Sequence, residues 1–177
     1  DLHYLRERRG AELARDQRLL RSAERTRATE LAMMAATDVT LLVSAAEKEQ
    51  LATDAPQVRV ELISNLHEVA ATGPGWTQRH DLVFVGGFRH PPNTDGVRWF
   101  CETVFPKVRA CLPEVRFHCI GDGPTPEIRT LAQRDGVLVH GHVPDLAPYM
   151  DGCRIAVAPL RVGAGVKGKI NLSMAHG

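Results

Sequence analysis

The residues whose types and spacing could do chemistry gather near the end of the sequence, where glycines and lysines alternate. Gly163, Gly165 and Gly168 follow an apolar run, and Lys167 and Lys169 lie beside the last of these glycines. A strand, a glycine turn and the start of a helix would present free backbone N–H groups to an anion. Helical side chains lean toward the N-terminus, so both ammonium groups can approach the same anion. This pattern predicts a phosphate-binding corner.

Several ligands compete for this corner. The Gly-x-Gly-x-x-Gly spacing matches the dinucleotide fingerprint, but that motif normally opens the first βα unit, and strands precede it here. Residues 163–169 also approach the nucleoside-triphosphate P-loop, whose last position needs a hydroxyl for magnesium, whereas Ile170 has none. A nucleotide-sugar site is the third interpretation, and the rest of the sequence favours it. A plain glycine-rich turn that binds nothing is the bland alternative.

Composition narrows the class of protein. The 22 basic and 21 acidic residues nearly balance, which gives no overall attraction to nucleic acid. No run approaches the roughly 18 apolar residues of a membrane span, and we expect no signal peptide in the given sequence. The four cysteines form no C-x-x-C pair, so we expect reduced thiols and a cytoplasmic protein. Because the sequence lacks an initial Met and stops near a predicted helix, we expect a piece of a longer protein.

Two histidines are candidates for a metal site. His140 and His142 lie two apart on a predicted strand and so share a face. No cysteine or carboxylate completes a ligand set by local spacing. We therefore expect no metal at this position.

The elements that position the corner alternate between strand and helix, which predicts a parallel sheet with right-handed crossovers. Ligands of such sheets sit at the carboxyl ends of the strands. Strands are predicted at residues 37–44, 58–65, 82–85, 115–120, 137–143 and 155–160. Helices are predicted at residues 45–51, 91–111 with a kink at Pro106, 126–134, 145–150 and from about 166.

Glycine-bearing turns follow four of these strands. They are Gly86-Gly87, residues 121–123, residues 140–142 and residues 163–165. Glycine lets backbone approach a ligand closely, so four such turns on one rim predict a single cleft.

The front of the sequence differs in pattern from the rest. Residues 4–36 predict one long helix, or two helices in line. Residues 6–27 contain eight arginines and only four acidic residues. This excess indicates a solvated helix face, or contact with an anionic lipid surface or a polyanionic acceptor. We expect residues 1–66 to be the end of one α/β domain, 67–80 a linker and 81–177 a second α/β domain.

The order of these motifs resembles the glycosyltransferases of the GT-B fold, specifically the large retaining family often called group 1. The motifs that carry the resemblance are a strand ending in Gly86-Gly87, then FHCIGDGP, then VLVHGHVPDLAPYMDGCRIAVAPLRVGAGVKGKINLSMAHG, preceded by DVTLLVS and ELISN. It implies a Rossmann-like parallel sheet from a GT-B C-terminal domain and the tail of an acceptor-side N-terminal domain. It also implies a nucleotide-diphosphate sugar as donor substrate without a cofactor, a glycan, lipid or other acceptor, and a role in polysaccharide biosynthesis.

The resemblance further implies roles for particular residues. The glycine turn and the helix that it opens would hold the diphosphate, and backbone at His142 and Val143 would face the base. His3 stands where the family tends to carry a catalytic histidine that faces the sugar and the acceptor. The residues implied in donor and diphosphate binding are Gly86, Gly87, Arg89, Arg161, Gly163, Gly165, Lys167 and Lys169.

The sequence also departs from the family pattern. The family often carries two glutamates for sugar and ribose hydroxyls, at positions that hold Ala164 and Leu172 here. An arginine and a lysine that often touch the diphosphate correspond to Gly87 and Asn93. A non-catalytic Rossmann-like module that binds a nucleotide or anion is therefore an alternative. A dinucleotide oxidoreductase would need an acidic residue beyond Gly177.

Overall fold

The chain folds into two compact α/β units. The computed structural model describes residues 2–66, 69, 73–161 and 167–177. Among these, residues 2–66 group with Lys167, and the remainder forms the second unit. Every strand pair in the described residues is parallel, which confirms the predicted fold class. No helix in this part of the chain combines the length and apolarity needed to cross a bilayer.

The first unit places a helical hairpin before a small two-stranded sheet. Strands β1 and β2 pair in parallel, with Leu41 opposite Glu61. The elements in chain order are α1 (His3–Ala14), α2 (Gln17–Ala35), β1 (Thr40–Leu42), α3 (Ala45–Asp54) and β2 (Val60–Leu62).

The two opening helices lie side by side and run antiparallel, so the prediction of a single helix or two in line is wrong. Arg15 adopts a left-handed conformation with φ of 51°, which breaks the helix, and Asp16 then caps α2. The hydroxyl of Thr26 on α2 donates to Glu7 on α1 at 2.7 Å. Glu30 of α2 accepts hydrogen bonds from the backbone N–H groups of His3 and Tyr4 at the start of α1, which have no partner within their own helix.

A buried polar group ties the hairpin to α3. Tyr4 is 2% exposed, and its hydroxyl donates to the Asp54 carboxylate at 2.5 Å. Arg27 donates to the other oxygen of Asp54 at 3.0 Å. Burial alone would raise the pKa of Asp54, but hydrogen bonds from Tyr4, Arg27 and Gln50 outweigh burial and lower it.

The second unit is a four-stranded parallel sheet in the order β5-β4-β3-β6, with helices on both faces. Three-residue 3-10 turns occur at Trp76–Gln78 and Leu131–Gln133. The main elements are β3 (His80–Val85), α4 (Pro91–Trp99), a π-helical turn (Phe100–Val104), α5 (Phe105–Cys111), β4 (Phe117–Ile120), α6 (Pro126–Thr130), β5 (Val137–Gly141), α7 (Ala147–Gly152), β6 (Cys153–Ala156) and α8 (Gly168–Ala175).

The predicted helix over residues 91–111 contains a π-helical turn before Pro106. Pro106 lies at the start of α5, where a missing N–H is tolerated. The rings of Phe100 and Phe105 both pack on Phe117 of β4, at centroid distances of 4.7 and 5.7 Å. These aromatic rings are the centre of the core between the sheet and α4–α5.

The last strand and the last helix differ from their predicted limits. Strand β6 covers Cys153–Ala156 rather than 155–160, and it forms an edge of the sheet, which leaves Ile155 46% exposed. Helix α8 begins at Gly168 rather than at about 166, and its residues Ile170 and Met174, whose spacing of four predicts one apolar face, are exposed. The apolar run at residues 155–160, which suggested a buried strand, thus yields a shorter strand that is exposed at Ile155 and Ala156.

We expect Tyr4→Phe to lower the free energy of unfolding by about 1–2 kcal/mol at neutral pH, because Asp54 loses a hydrogen bond. A carboxylate with a lowered folded-state pKa contributes stability above its ordinary value of about 3.9, and that contribution is lost as pH falls through the lowered value. The difference between wild type and variant should therefore shrink below about pH 4.

Urea unfolding followed by far-ultraviolet circular dichroism measures this difference. Fluorescence of Trp76 and Trp99, both in the second unit, serves as the control and should not shift. A difference that stays constant from neutral to strongly acidic pH would contradict the assigned role of Asp54.

Candidate functional site

The carboxyl ends of β3, β4 and β5 form one continuous rim. The N–H of Gly86 donates to the carbonyl of Ile120 at 2.9 Å, and the N–H of Gly121 donates to the carbonyl of Gly141 at 2.8 Å. Three of the four predicted glycine turns therefore lie side by side. The fourth turn, with Gly163, Ala164 and Gly165, lies outside the described residues.

Glycine is required at two points of this rim by close approach. A Cβ on Gly121 would collide with the carbonyl oxygen of Gly86. A Cβ on Gly86 would lie 2.9 Å from Nδ2 of Asn93. Gly87, by contrast, has open space around its Cα. The first two glycines thus shape the rim, and the third leaves its backbone accessible.

Asn93 of α4 joins the rim to the start of α8. Its side chain is buried, its Nδ2 donates to the carbonyl of Gly87 at 2.7 Å, and its Oδ1 accepts from Nζ of Lys169 at 2.7 Å. The same ammonium lies 4.8 Å from the centre of the Phe84 ring, a cation–π geometry. These contacts place Lys169 at the carboxyl end of β3. The family pattern drew attention to position 93. The hydrogen bond from Lys169 to Asn93 joins residues 76 apart, however, and local spacing does not reveal it.

Arg161, which follows β6, is held by α4. Its guanidinium makes a two-point ion pair with Asp95, with Nε 2.9 Å from Oδ2. The hydrogen bonds from Arg161 lower the pKa of Asp95 and keep that carboxylate charged. The sequence offered Asp95 only as a possible start of α4, and it did not reveal the pair with Arg161, which joins residues 66 apart.

Arg89, in the turn after β3, is the most exposed of the predicted cations in the second unit. Its guanidinium lies 3.5 Å from the carboxylate of Asp122, and both side chains are mostly in solvent. Gly123 adopts a left-handed φ of 63°, and a Cβ there would press on the stem of Arg89. An exposed pair of this kind contributes little to stability, so Arg89 can exchange Asp122 for another anion at small cost.

The predicted base-side residues lie in the turn after β5. His142 is exposed, whereas Val143 packs against the buried cluster of Val83 and Ile120 on one face of the sheet. Leu172 of α8 packs against the same cluster. The position that often carries a glutamate in the family is thus filled by an apolar contact.

Two of the predicted site residues belong to the first unit. Burial lowers the pKa of Lys167, and the positive charge of Arg9 lowers it further. His3 is the first residue of α1, and its imidazole is half exposed. Nδ1 of His3 lies 2.8 Å from Glu30, so that carboxylate fixes the ring and directs Nε2 elsewhere.

A histidine pair that sequence reasoning did not join lies on the sheet. Nδ1 of His118 on β4 is 2.9 Å from Nε2 of His140 on β5, and Nε2 of His118 faces Asp81 at 3.3 Å. The earlier pairing of His140 with His142 missed this neighbour, because strand register is not visible in a local pattern. Within the described ranges no group of three or more His, Cys, Asp or Glu side chains is arranged to hold a metal ion.

The larger cavities of the second unit lie away from the rim, and one of about 480 Å³ is lined by Arg98, Glu102 and Arg134. A second of about 480 Å³ sits at the amino ends of the strands, near Asp81, Arg116 and Ile155. Another of about 520 Å³ lies beside Trp76 and Arg79. Since parallel sheets bind ligands at the carboxyl ends of their strands, we place the candidate site at the glycine rim.

Comparison with known proteins yields a family and a fold. A family model described as "Glycosyl transferases group 1" matches residues 79–177. A mutant of S. aureus TarM, crystallised in complex with fondaparinux, alpha-GlcNAc-glycerol and UDP, has a TM-score of 0.70 at 13% identity, covering 86% of this chain and 31% of TarM. A second TarM structure gives 0.68 at 14% identity, covering 86% and 30%. The chain thus spans less than a third of these relatives, and no curated protein sequence matches it.

We expect Gly121→Ala to lower the free energy of unfolding by about 2–3 kcal/mol, because the new methyl group meets backbone that cannot move aside. The matched control is Gly87→Ala on the same rim, where the space is open and the change should not exceed about 1 kcal/mol. Urea titration monitored by the fluorescence of Trp76 and Trp99 measures both. Equal stability of the two variants would show that the rim is less closely packed than described.

Proposed function

Because this chain belongs to the group 1 glycosyl transferases, whose model spans its residues 79–177, we propose that it binds a nucleotide-diphosphate sugar through its second unit. The sugar is then transferred to a glycan, lipid or other acceptor, with retention of its configuration. We further propose a role in polysaccharide biosynthesis. Stabilising the departing diphosphate is the main task of the protein in this chemistry.

The observation that carries this proposal is the position of Lys169. Its ammonium is fixed at the end of β3 by Asn93, beside the open backbone of Gly87. Helix α8 begins one residue before it, at Gly168, so the positive end of the helix dipole points the same way. A pre-positioned cation, a helix start and accessible backbone suit the two phosphates of a donor.

Further cations extend the proposed diphosphate site. Arg161 is held in place by its two-point pair with Asp95, whereas Arg89 pairs with Asp122 in solvent and can turn to a ligand at small cost. Gly86 and Gly87 bring backbone close, and Gly163, Gly165 and Lys167 complete the set proposed from the resemblance. The base is proposed to lie against the backbone of His142 and Val143.

UDP is the first nucleotide to test. The TarM mutant reported above was crystallised in complex with fondaparinux, alpha-GlcNAc-glycerol and UDP, and this motivates uridine donors as the starting point. We propose His3 as the residue that faces the transferred sugar and the acceptor. Glu30 would orient its ring through Nδ1 and leave Nε2 for that contact.

A second candidate function is nucleotide or anion binding without transfer. Leu172, where the family often has a glutamate, packs against the apolar cluster that includes Val83 and Ile120. A donor sugar would therefore lose one hydrogen-bond acceptor at this point. Donor binding without any transfer or hydrolysis would favour this candidate over the enzyme.

We expect Lys169→Gln to weaken the affinity for UDP, or for another nucleoside diphosphate, by about tenfold or more, which corresponds to about 1.4 kcal/mol. Glutamine keeps a donor for Asn93 but has no charge. The control is Lys107→Gln, on exposed α5, which should bind as wild type does. Calorimetry with UDP, GDP and ADP on the three proteins makes the measurement.

Two results would reject the assignment. Equal affinity of wild type and Lys169→Gln would remove Lys169 from the diphosphate site. No binding of any of the three nucleotides by folded wild type would reject nucleotide-sugar binding for this chain.

We also propose that the helical hairpin contacts an anionic membrane surface, with the protein otherwise in the cytoplasm. Arg18, Arg21 and Arg25 are spaced three and four apart along α2, so they share one exposed face. At the tip of the hairpin Leu13 and Leu19 are 67% and 48% exposed. Arginines beside exposed leucines are the composition of a peripheral membrane contact.

We expect the chain to float with vesicles containing phosphatidylglycerol and not with pure phosphatidylcholine. Replacing Arg18, Arg21 and Arg25 by glutamine should weaken binding about 100-fold, since each cation near the surface contributes about 1 kcal/mol. A control variant replaces three arginines that are exposed elsewhere by glutamine, which removes the same amount of charge. They are Arg59, Arg129 and Arg134. Equal loss in both variants would point to net charge rather than to this face.

A further inference from the structure

Three titratable groups from three neighbouring strands form one hydrogen-bonded chain. The Asp81 carboxylate of β3 faces Nε2 of His118 on β4 at 3.3 Å. Nδ1 of His118 faces Nε2 of His140 on β5 at 2.9 Å. Asp81 and His118 are 11% and 13% exposed, whereas His140 is more exposed, so the chain leads from the interior of the sheet toward its surface.

The two imidazole rings are joined edge to edge. Their planes differ by 4° and their centroids are 5.1 Å apart. Stacked rings would approach to about 3.5–4 Å, the contact distance of carbon atoms. The observed separation equals a nitrogen–nitrogen hydrogen bond plus the radius of each ring. Tyr149 of α7 covers both rings, with centroids 5.8 and 5.0 Å away.

The carboxylate at the inner end stays charged. Burial would raise the pKa of Asp81, but hydrogen bonds from the Arg116 N–H and from His118, with the charge of Arg116, lower it. The Arg116 backbone N–H donates to Asp81 at 2.8 Å and its Nε at 3.1 Å. A charged Asp81 favours a proton on Nε2 of His118, which fixes the arrangement of that ring.

Proton counting limits the charge of the pair. Only one proton can lie between Nδ1 of His118 and Nε2 of His140, because two N–H groups facing each other repel. The four ring nitrogens therefore hold at most three protons while the bond is intact, which is one positive charge for two rings. A fourth proton must break the bond.

The hydrogen bond between His118 and His140 involves the residue directly before the turn that is proposed to hold the base. His140 precedes Gly141, whose carbonyl accepts the N–H of Gly121, and His142 and Val143 follow. Gly141 adopts a left-handed φ of 72°, so the turn has a defined shape that begins at His140. The His140 ring is thus attached to the residue at which the turn begins.

We propose that His118 and His140 are positioning residues that hold the turn at residues 141–143 in the shape that receives the nucleotide base, and that release it when both rings become charged. The proposal rests on the proposed function for the role of the turn. The bond between the rings, its titration and its effect on the turn do not depend on nucleotide binding. The chain would thus bind its donor well at neutral pH and poorly in acid.

The charged groups around the two rings oppose a second positive charge on the pair, as the loss of binding in acid requires. Burial lowers the pKa of His140, and the charge of His118 lowers it further. Cys153 of β6 contributes no charge, because burial and, to a smaller extent, the negative charge of Asp81 raise the pKa of its thiol to about 11. Arg116 adds a positive charge beside Asp81, which opposes a second proton on the pair. Tyr149, from α7, is the remaining titratable group over the rings.

The pH dependence has a defined sign. The unfolded chain takes up a proton on histidine near about pH 6.5, while burial and the charge of His118 hold the pKa of His140 in the folded chain below its ordinary value. The unfolded state therefore binds more protons in this interval, and stability falls as pH decreases below about 6.5. Affinity for the nucleotide should fall by at most about tenfold for each pH unit over the same interval, because one proton is linked to release.

The experiment follows the histidine rings and the turn separately from the ligand. Nuclear magnetic resonance from about pH 7.5 to about pH 5 gives the titration of His118 and His140 and the amide signals of residues 141–143. Calorimetry with UDP over the same range gives the affinity. His140→Gln keeps a neutral donor for His118, so we expect neutral-pH affinity within about twofold of wild type and a flat profile. His140→Leu loses the bond and should bind weakly at every pH, and His80→Gln is the control at an exposed histidine.

The outcomes separate the two proposals. Independent titration of the two histidines, with unchanged amide signals at residues 141–143, would overturn the pairing. A His140→Gln profile as steep as that of wild type would overturn it as well. Linked titration with shifted amides, but no nucleotide binding at any pH, would instead reject the proposed function and with it the link to the base. Linked titration with acid-sensitive affinity that His140→Gln abolishes supports the proposal.

Discussion

The close approach of two strand ends is the constraint on which the candidate site depends. The carbonyl of Gly86 lies where a side chain on residue 121 would be, and the amide of Asn93 lies against Gly86 itself. Because neither glycine can carry a Cβ, the first two turns of the rim form one layer of backbone. Asn93 then uses both ends of its amide, one on Gly87 and one on Lys169. The position of the cation therefore follows from the packing of backbone.

The cations of the second unit share a mode of organisation. Lys169 is held by an amide, Arg161 by Asp95 and Arg89 by Asp122. Lys169 and Arg161 are placed by partners on neighbouring elements, so little of their conformational entropy remains to be lost when an anion binds, whereas the exposed Arg89 keeps most of its freedom. Their partners differ in charge and exposure, and the three cations should therefore respond differently to the same ligand. Such pre-organisation is what phosphate recognition with little covalent chemistry requires.

The sequence was sufficient for the class of fold and for the position of the rim. Glycines that follow apolar runs indicate turns after strands, and strands that alternate with helices indicate a parallel sheet. The sequence alone therefore placed Gly86 and Gly121 at the carboxyl ends of neighbouring strands. The bridge from Asn93 to Lys169 and the pairing of His118 with His140 could not, because both depend on side chains that meet across distant parts of the chain. The hairpin of α1 and α2 was missed for a related reason, since Arg15 breaks the helix without a glycine or proline to signal it.

The π-helical turn between α4 and α5 carries a consequence for the core. On an uninterrupted α-helix, residues five apart point about 140° away from each other, since each residue advances the helix by about 100°. Phe100 and Phe105 are five apart, yet both rings reach Phe117. The wider turn, with its i to i+5 hydrogen bonds, brings them onto one side. The aromatic centre of the second unit thus depends on this wider turn, because the same residues wound as an uninterrupted α-helix would point one of these rings about 140° away from the other.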